Sequence, residues 1–257
     1  MILAIAFLSA FVAQAHISHP VLKSPGGRLV LTFDTLEKGQ LAYSIAYKDK
    51  SLIERSGMTL NLQGQQPLGA AVKIVGATPS QTDETYRLVT GKASVVRNRY
   101  NALKLDLEDV GPAARRFSVE ARAYDDAIAF RYVVPDQPAM NELRLTSEAT
   151  EFRLSKDATT YALLLPHFRT QYESEYVKLN ASAFSGQNGL SKKLLIGLPF
   201  LMHLPGVAWA AITEADLRGN SSMYLVNTAT NWGGRVFQIA DCAGRRSGCG
   251  HHRHAAA

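Results

Sequence analysis

Alternation of apolar and polar residues, with a period of two, runs through most of this chain and constrains its fold more than any other feature. The run 103–108 reads Leu-Lys-Leu-Asp-Leu-Glu, and the runs 41–47, 117–124 and 128–134 repeat the pattern. This period places alternate side chains on opposite faces of an extended strand. Further candidate strands are 28–33, 58–62, 84–90, 143–146, 150–154, 159–165, 207–213 and 222–226.

Turn-forming residues separate these short strands at regular intervals. Segments 63–70, 79–83 and 180–192 are rich in Gln, Gly, Ser, Pro or Asn and are predicted to be surface loops. A convincing helical pattern is absent, and only 190–198 could hold a short helix. Many short strands with frequent turns predict an all-β fold, a large sandwich of two antiparallel sheets with few or no helices.

Composition agrees with a globular domain and argues against one class of partner. The 257 residues are 46% hydrophobic and 19% charged, with a formal net charge of +6. This suits one large all-β domain or two small ones. No stripe of Lys and Arg with interleaved aromatic residues occurs, so we expect no nucleic-acid partner. No cysteine lies between Ala15 and Asp241, so the fold depends on its core rather than on disulfides.

The chain divides into three segments. Residues 1–15 form an apolar run that closes on Ala-Gln-Ala, which predicts a signal peptide and export to the periplasm or cell exterior. The alternative is an apolar first strand, and neither this run nor any other is long enough to predict a membrane span. Residues 20–230 carry the alternation and are predicted to form the sandwich.

Residues 231–257 differ in composition, being rich in Arg, Gly, Ala, His and Cys. They are predicted to be an irregular tail, and their composition is typical of an out-of-frame reading of a GC-rich gene. We therefore hypothesise a frameshift near residue 230. Cys242 and Cys249 are seven apart, wider than the cysteine pairs of zinc sites, so no zinc site is predicted.

The apolar run 207–212 ends in Thr-Glu-Ala-Asp beside a Gly-Asn-Ser turn. It predicts a buried strand with Trp209 in the core, and the strand would deliver Glu214 to its end in a fixed orientation. Asp216 is predicted to be a turn residue rather than a ligand. From the residues alone, Glu214 is a candidate oxygen ligand, a solvated charge, or a partner of Arg218.

A second candidate site contains Glu173 and Glu175, which stand two apart between tyrosines. In an extended strand both carboxylates would face the same side. They could accept hydrogen bonds from sugar hydroxyls while the tyrosine rings stack on pyranose faces. They could equally form an exposed strand face that meets Lys178 or Arg169.

Five short pieces of sequence occur in order along the chain. They are Ser24-Pro25-Gly26-Gly27, the predicted turn Arg97-Asn98-Arg99-Tyr100-Asn101, Ala123-Tyr124-Asp125-Asp126 leading into Ala129-Phe130-Arg131-Tyr132, Tyr172-Glu173-Ser174-Glu175-Tyr176, and Thr213-Glu214-Ala215-Asp216. With these pieces the chain resembles the amino-terminal domain of glycoside hydrolase family 97 from about Pro20 to Tyr224. Two positions depart from the family pattern.

The first departure is Ala127, which stands where the family usually has Gly, so the predicted hairpin turn at Asp125-Asp126 must tolerate a Cβ. The second is Arg99, which stands where His is common. No role of an imidazole is therefore transferred to this position.

The resemblance implies an enzyme of three parts: a β-supersandwich, a (β/α)₈ barrel with the catalytic carboxylates, and a small β-sandwich. It implies calcium-dependent cleavage of α-linked oligosaccharides, of the α-glucosidase or α-galactosidase type. The first domain would pack on the barrel and donate one glutamate to the calcium site, for which Glu214 is the candidate. This chain would then hold no catalytic residue and would be inactive alone. Two alternatives stay open: an autonomous carbohydrate-binding sandwich, and a degraded gene product.

Overall fold

The computed structural model describes residues 19–140, 143–168, 170–184, 195–215, 223–228 and 236–240. These residues form strands and two short 3₁₀ helices, Glu37–Gly39 and Ala181–Phe184, but no α-helix. The strands are β1 (Val21–Lys23), β2 (Leu29–Thr35), β3 (Leu41–Tyr47), β4 (Lys50–Gly57), β5 (Leu60–Leu62), β6 (Val72–Arg87), β7 (Val95–Asp109), β8 (Arg116–Ala123), β9 (Ile128–Val133), β10 (Leu145–Glu148), β11 (Glu151–Leu154), β12 (Thr159–Leu165), β13 (Tyr176–Asn180), β14 (Leu195–Leu204), β15 (Ala208–Ile212), β16 (Tyr224–Asn227) and β17 (Val236–Ala240).

The strands assemble into two main antiparallel sheets, which confirms the predicted fold class. The larger sheet has the order β1-β2-β3-β4-β11-β17-β16-β14-β12-β13, with β15 paired to β14. The smaller sheet has the order β6-β7-β8-β9, and a separate pair joins β5 to β10. The smaller sheet packs against the β1–β2 end of the larger one. Among the described residues, no helix is long and apolar enough to span a membrane.

The inward face of the smaller sheet shows why the alternation predicts the fold. Leu105 lies opposite Val119 and Leu107 lies opposite Phe117, and all four side chains are buried. Each buried side chain of this size contributes about 1.5–3 kcal/mol relative to an exposed one. The polar residues between them, Asp106 and Ser118, alternate onto the opposite face of the sheet, where the Ser118 hydroxyl donates a hydrogen bond to Asp106. Register and core are therefore set by the same period of two.

An aromatic cluster fills the core under the other half of the larger sheet. Phe200 on β14 lies 4.8 Å from Phe237 on β17, measured between ring centroids. Phe184 of the second 3₁₀ helix lies 5.3 Å from Phe237 and 6.3 Å from Phe200. The cluster therefore fixes the helix, β14 and β17 together.

The long pair β6–β7 differs from the sequence prediction. Segment 79–83 was expected to be a loop and Arg97–Asn101 a turn, but both lie inside strands that pair from Val72–Asp109 to Arg87–Val95. Before Asn101, β7 has no second neighbour among the described residues, so both faces of this outer half of the β6–β7 pair are largely exposed. Alternation is not needed in such a ribbon, which explains the wrong prediction.

Cross-strand polar pairs hold this outer half of the β6–β7 ribbon. Arg97 donates two hydrogen bonds to Asp83, at 2.7 and 2.6 Å, and Asn98 donates one to Glu84 at 2.7 Å. Arg99 adds an ion pair with Asp83 at 3.9 Å. Pairs of this kind stabilise a sheet where no core is available.

The described part of segment 190–198, where at most a short helix was possible, is not helical, since residues 195–198 belong to β14. The predicted loop 180–192 begins as the end of β13 and the 3₁₀ helix Ala181–Phe184, and residues 185–192 lie outside the described residues. β14 is apolar on both faces, so its sequence lacks the alternation that predicts a strand. Its outward face is partly covered by other residues and therefore carries few polar side chains.

The sandwich extends past the predicted boundary at residue 230. Residues 236–240 form β17 between β11 and β16, with Phe237 in the core. The sequence VFQIA is a short strand pattern that the preceding Gly-Gly and the following Arg-rich segment conceal. The proposed signal peptide 1–15, Trp232 and the two cysteines lie outside the described residues, and the frameshift stays a hypothesis.

A buried ion pair joins β7 to the turn before β8. The Arg115 guanidinium bonds Asp109 through two nitrogens and also donates to Gln65 Oε1 at 3.2 Å and to the carbonyl of Gln66 at 2.9 Å. The two charged side chains are only 8% and 9% exposed. Burial raises the pKa of Asp109, and the guanidinium only partly offsets this rise.

Candidate functional site

Glu214 lies two residues beyond the end of β15 and is half-buried. Its Oε1 accepts a hydrogen bond from the backbone N–H of Met223, at 2.7 Å. The carboxylate thus joins the end of β15 to the start of β16 across a segment outside the described residues. One oxygen is held by the backbone, and Oε2 has no hydrogen-bond partner among the described residues. The strand ends before Glu214, so this hydrogen bond rather than strand pairing holds the carboxylate.

Two tyrosines stand beside this carboxylate. Tyr172 and Tyr224 lie 5.8 Å apart between ring centroids. Partial burial, the neighbouring phenol of Tyr224 and the charge of Glu214 raise the pKa of Tyr172 above its usual value. The phenol therefore stays neutral and able to donate a hydrogen bond over the physiological range.

Gly197 on β14 makes room for Tyr172. A Cβ at position 197 would lie 3.2 Å from Cε1 of Tyr172 and 3.0 Å from Leu163, tighter than ordinary contact. Tyr172 itself has φ of 60°, the left-handed region that disfavours a bulky side chain. Backbone strain and a close approach therefore occur together at one point beside Glu214.

A small apolar cluster under the loop between β12 and β13 supports this arrangement. Tyr224 packs edge-on against Phe168, with ring centroids 5.2 Å apart. The cluster also contains Leu163, Leu165 and Leu195 and is separate from the main core. The loop that carries Tyr172 is thereby anchored to the outward face of the larger sheet.

Glu173 and Glu175 do not lie in a strand. They precede β13, which begins at Tyr176, so the argument that both face one side does not apply. Both are exposed, and Glu173 lines an open depression with Thr170 and Ser174. Their contact with a sugar stays a prediction. Lys178 and Arg169 were the alternative partners of these two carboxylates. The Lys178 ammonium lies over the Tyr161 ring, and Arg169 is outside the described residues.

The described part of the chain shows how far Glu214 could hold a metal ion without help. Among the described residues, no group of three or more His, Cys, Asp or Glu side chains lies close enough together to hold a metal ion. A carboxylate oxygen at a rigid strand end suits calcium, which takes six to eight oxygen ligands. Glu214 could supply only one or two of these ligands, and its role in calcium binding stays a prediction. Asp216 and Arg218 lie outside the described residues.

The first three sequence pieces meet at another point of the molecule. Gly26 donates its N–H to Oδ1 of Asp125 at 2.5 Å, and Asn101 donates to the carbonyl of Lys23 at 2.8 Å. The rings of Tyr100 and Tyr124 lie 5.2 Å apart. These pieces therefore act together as a structural joint between the two sheets, a role that the sequence did not reveal.

The hairpin turn at Asp125-Asp126 is confirmed. Tyr124 donates its N–H to the carbonyl of Ala127 at 2.8 Å, between β8 and β9. Ala127 is not among the residues with positive φ, so its Cβ is accommodated without strain. The first departure from the family pattern is thus harmless to the turn. The second departure, Arg99, lies in β7 and pairs with Asp83.

The prediction that Trp209 lies in the core is wrong, since its side chain is 58% exposed. The run 207–212 was read as apolar on both faces, but Ala210 and Ile212 pack on the core and Trp209 alternates with them. It lies opposite His203 in the backbone register of β14 and β15. A long apolar run conceals this parity because alanine suits either face.

The fold and the site define an antiparallel β-sandwich domain that presents one oxygen donor at a strand end. The sequence model of the family described as Glycosyl-hydrolase 97 N-terminal matches residues 22–242, and the chain belongs to this family. The resemblance drawn from the five sequence pieces is confirmed.

Known relatives are longer proteins. A retaining alpha-galactosidase of Bacteroides thetaiotaomicron is 25% identical over 210 residues, which cover 79% of this chain and 30% of that protein. A glycoside hydrolase family 97 enzyme of Pseudoalteromonas sp. strain K8, solved with acarbose, matches with a TM-score of 0.75 at 24% identity, over 86% of this chain and 32% of that one. A beta-arabinopyranosidase matches with a TM-score of 0.77 at 22% identity, over 91% and 37%. The chain spans about a third of the length of these relatives.

Proposed function

We propose that this chain is the amino-terminal domain of a calcium-dependent α-glycoside hydrolase, packs against a catalytic barrel, and donates Glu214 to the calcium site. The observation that carries the proposal is the Glu214 carboxylate, fixed at a strand end by the N–H of Met223. Membership of the family supports the hydrolase part. The relatives support the same part of the proposal, since one is a retaining alpha-galactosidase and another was solved with acarbose.

The proposed task of this chain is to position rather than to cleave. Cleavage of an α-glycosidic bond needs two carboxyl groups on either side of the bond, and these are assigned to the barrel. A bound calcium ion would supply positive charge that orients nearby carboxylates and sugar hydroxyls. Glu214 would direct one carboxylate oxygen toward the calcium ion. The neutral phenol of Tyr172 would lie near this carboxylate without adding a second negative charge.

Glu173 and Glu175 are assigned a secondary part in this proposal. Both are exposed on the loop that also carries Tyr172, so they stand close to the Glu214 end of the sheet. Exposed carboxylates there can accept hydrogen bonds from hydroxyls of an α-linked oligosaccharide. We further propose export to the periplasm or cell exterior, which the apolar run 1–15 supports.

The test has two arms. In the first, the purified chain is assayed on p-nitrophenyl α-glucoside and α-galactoside, and no turnover is expected. In the second, Tb³⁺ stands in for calcium, and its luminescence is excited through Tyr172 and Tyr224. We expect weak binding, with a dissociation constant in roughly the millimolar range or weaker, because one carboxylate is far from a full ligand set.

Glu214→Gln is expected to abolish the tyrosine-sensitised Tb³⁺ signal. Asp126→Asn, at the exposed hairpin turn, is the matched control and should leave it unchanged. An equal signal in Glu214→Gln and the unsubstituted chain would rule out Glu214 as the donor. Turnover at ordinary enzyme rates by the chain alone would refute the assignment of catalysis to a barrel.

A further inference from the structure

Three aromatic rings lie together on the outward face of the larger sheet. The rings of Trp209 and His203 have centroids 4.7 Å apart and planes inclined by 28°. The rings of Trp209 and Tyr161 have centroids 6.0 Å apart and planes inclined by 29°. We call these three side chains the aromatic platform. More than half of the Trp209 side chain is exposed and the other two rings are partly exposed, so the three form one contiguous aromatic patch, which is the kind of surface that interaction sites use.

The platform is held by the sheet rather than by a loop. His203 and Trp209 are directly opposite in the β14–β15 register, and Tyr161 lies opposite Leu201 in the β12–β14 register. Lys178, opposite Tyr161 on β13, places its ammonium 5.9 Å from the Tyr161 ring centroid. The backbone positions are therefore fixed by hydrogen-bonded pairing, and little conformational entropy is lost when a ligand binds.

We propose that the aromatic platform binds a pyranose unit of a neutral α-linked oligosaccharide. The C–H face of a pyranose stacks on an aromatic ring, and its hydroxyls need hydrogen-bonding groups at the rim, which His203 and Lys178 supply. Among the described residues that face outward from β12, β13, β14 and β15, Lys178 alone carries a formal charge. The described outward positions of these four strands thus offer no carboxylate to a cationic ligand and no Arg fork to a phosphate or sulfate.

The platform is continuous with the site at Glu214. Gly197, which lies under Tyr172, and His203 are both outward-facing residues of β14. Six residues of strand span roughly 20 Å, a distance that a short oligosaccharide can cover. The extension of one sugar chain between the two places rests on the proposed function. Stacking of a sugar on the platform does not.

The binding test uses the whole chain and two probes, panose and maltoheptaose. Calorimetry should detect binding, and Trp209 fluorescence in a Trp232→Phe background should change with the same saturation curve. Trp209→Ala and Tyr161→Ala should each weaken binding about tenfold, equivalent to 1.4 kcal/mol. Trp209→Phe, which keeps a ring, should fall between. Tyr86→Ala removes a similarly exposed ring on β6 and should change nothing.

Each other outcome refutes the platform as a sugar site. Binding that is equally tight in Trp209→Ala would place the sugar elsewhere. Absence of binding, with self-association that Trp209→Ala abolishes, would identify the face as an interface between copies of this chain. Absence of both, with a native melting curve, would leave the exposed face to another protein domain. The sugar titration is done without a metal ion and is judged on Trp209 and Tyr161, whereas the Tb³⁺ signal is judged on Glu214, so the two proposals can fail separately.

Discussion

Arg115→Met is expected to destabilise the domain strongly, because it leaves the Asp109 carboxylate buried without its counter-ion. The side chains of both residues are less than a tenth exposed, and the guanidinium makes contacts to Asp109, Gln65 and Gln66. Removing one partner of such a pair costs about 3–5 kcal/mol. That is a large part of the free energy of unfolding of a typical domain, which is roughly 5–15 kcal/mol.

The cost should depend on pH in a definite direction. Burial raises the folded-state pKa of Asp109 above its unfolded value of 3.8, so stability from this carboxyl is present below that value and is lost as the pH rises through the folded pKa. Without Arg115, the folded pKa rises further. The difference in free energy of unfolding between Arg115→Met and the unsubstituted chain is therefore largest near neutral pH and shrinks as the pH falls.

Urea unfolding, followed by circular dichroism at neutral and at acidic pH, measures the effect. The double variant Arg115→Met, Asp109→Leu should recover most of the loss, because no charge is then left buried. Arg97→Met is the matched control, since it breaks the exposed pair with Asp83 and should leave the unfolding midpoint almost unchanged. A double variant as unstable as Arg115→Met alone would refute the reasoning, and so would an unchanged midpoint for Arg115→Met.

Three further predictions concern the joint, the core and the site. Asp125→Ala should lower the free energy of unfolding by about 1 kcal/mol and speed amide exchange at Gly26, which loses its acceptor; unchanged exchange at Gly26 would contradict the contact. Phe200→Ala should cost about 3–5 kcal/mol in urea unfolding, because its ring is fully buried between two other phenylalanines. The raised pKa of Tyr172 contributes stability below its unfolded value of 10.0 that is lost as the pH rises through the folded value. Tyr172→Phe should therefore weaken the fall in stability above that pH by a small amount, because the side chain is 40% exposed and solvent screens its interactions. An identical pH profile would argue against an interaction of the phenol with Tyr224 and Glu214.

The parts of the fold that the sequence predicts are those where one face is buried and the other solvated. In β7 and β8, near Leu105 and Val119, each face imposes its own residue type, so the period is visible. β4 escapes prediction because its pairing with β3 shifts register twice, and each shift breaks the period. The outer ribbon of β6 and β7 escapes because neither face is buried.

The candidate site divides in the same way. Glu214 could be found because its position follows from a single strand and the residues after it. Tyr172 and Tyr224 could not, because they meet only when the loop after β12 folds over Gly197 and β16 lies alongside. The error at Trp209 has a related cause, since a strand rich in alanine does not reveal which side faces the core.

The unsupported half of the β6–β7 ribbon has a consequence for how this domain opens. The amide protons of this half should exchange with solvent first at the free end and later toward the sheet. The amide protons of the part of β7 that pairs with β8 should exchange only on global unfolding. Among the described residues, the core does not pack against that free end. Changes in its length or sequence should therefore leave the rest of the sandwich unaffected. It is the natural place at which a foreign segment could be spliced into this protein.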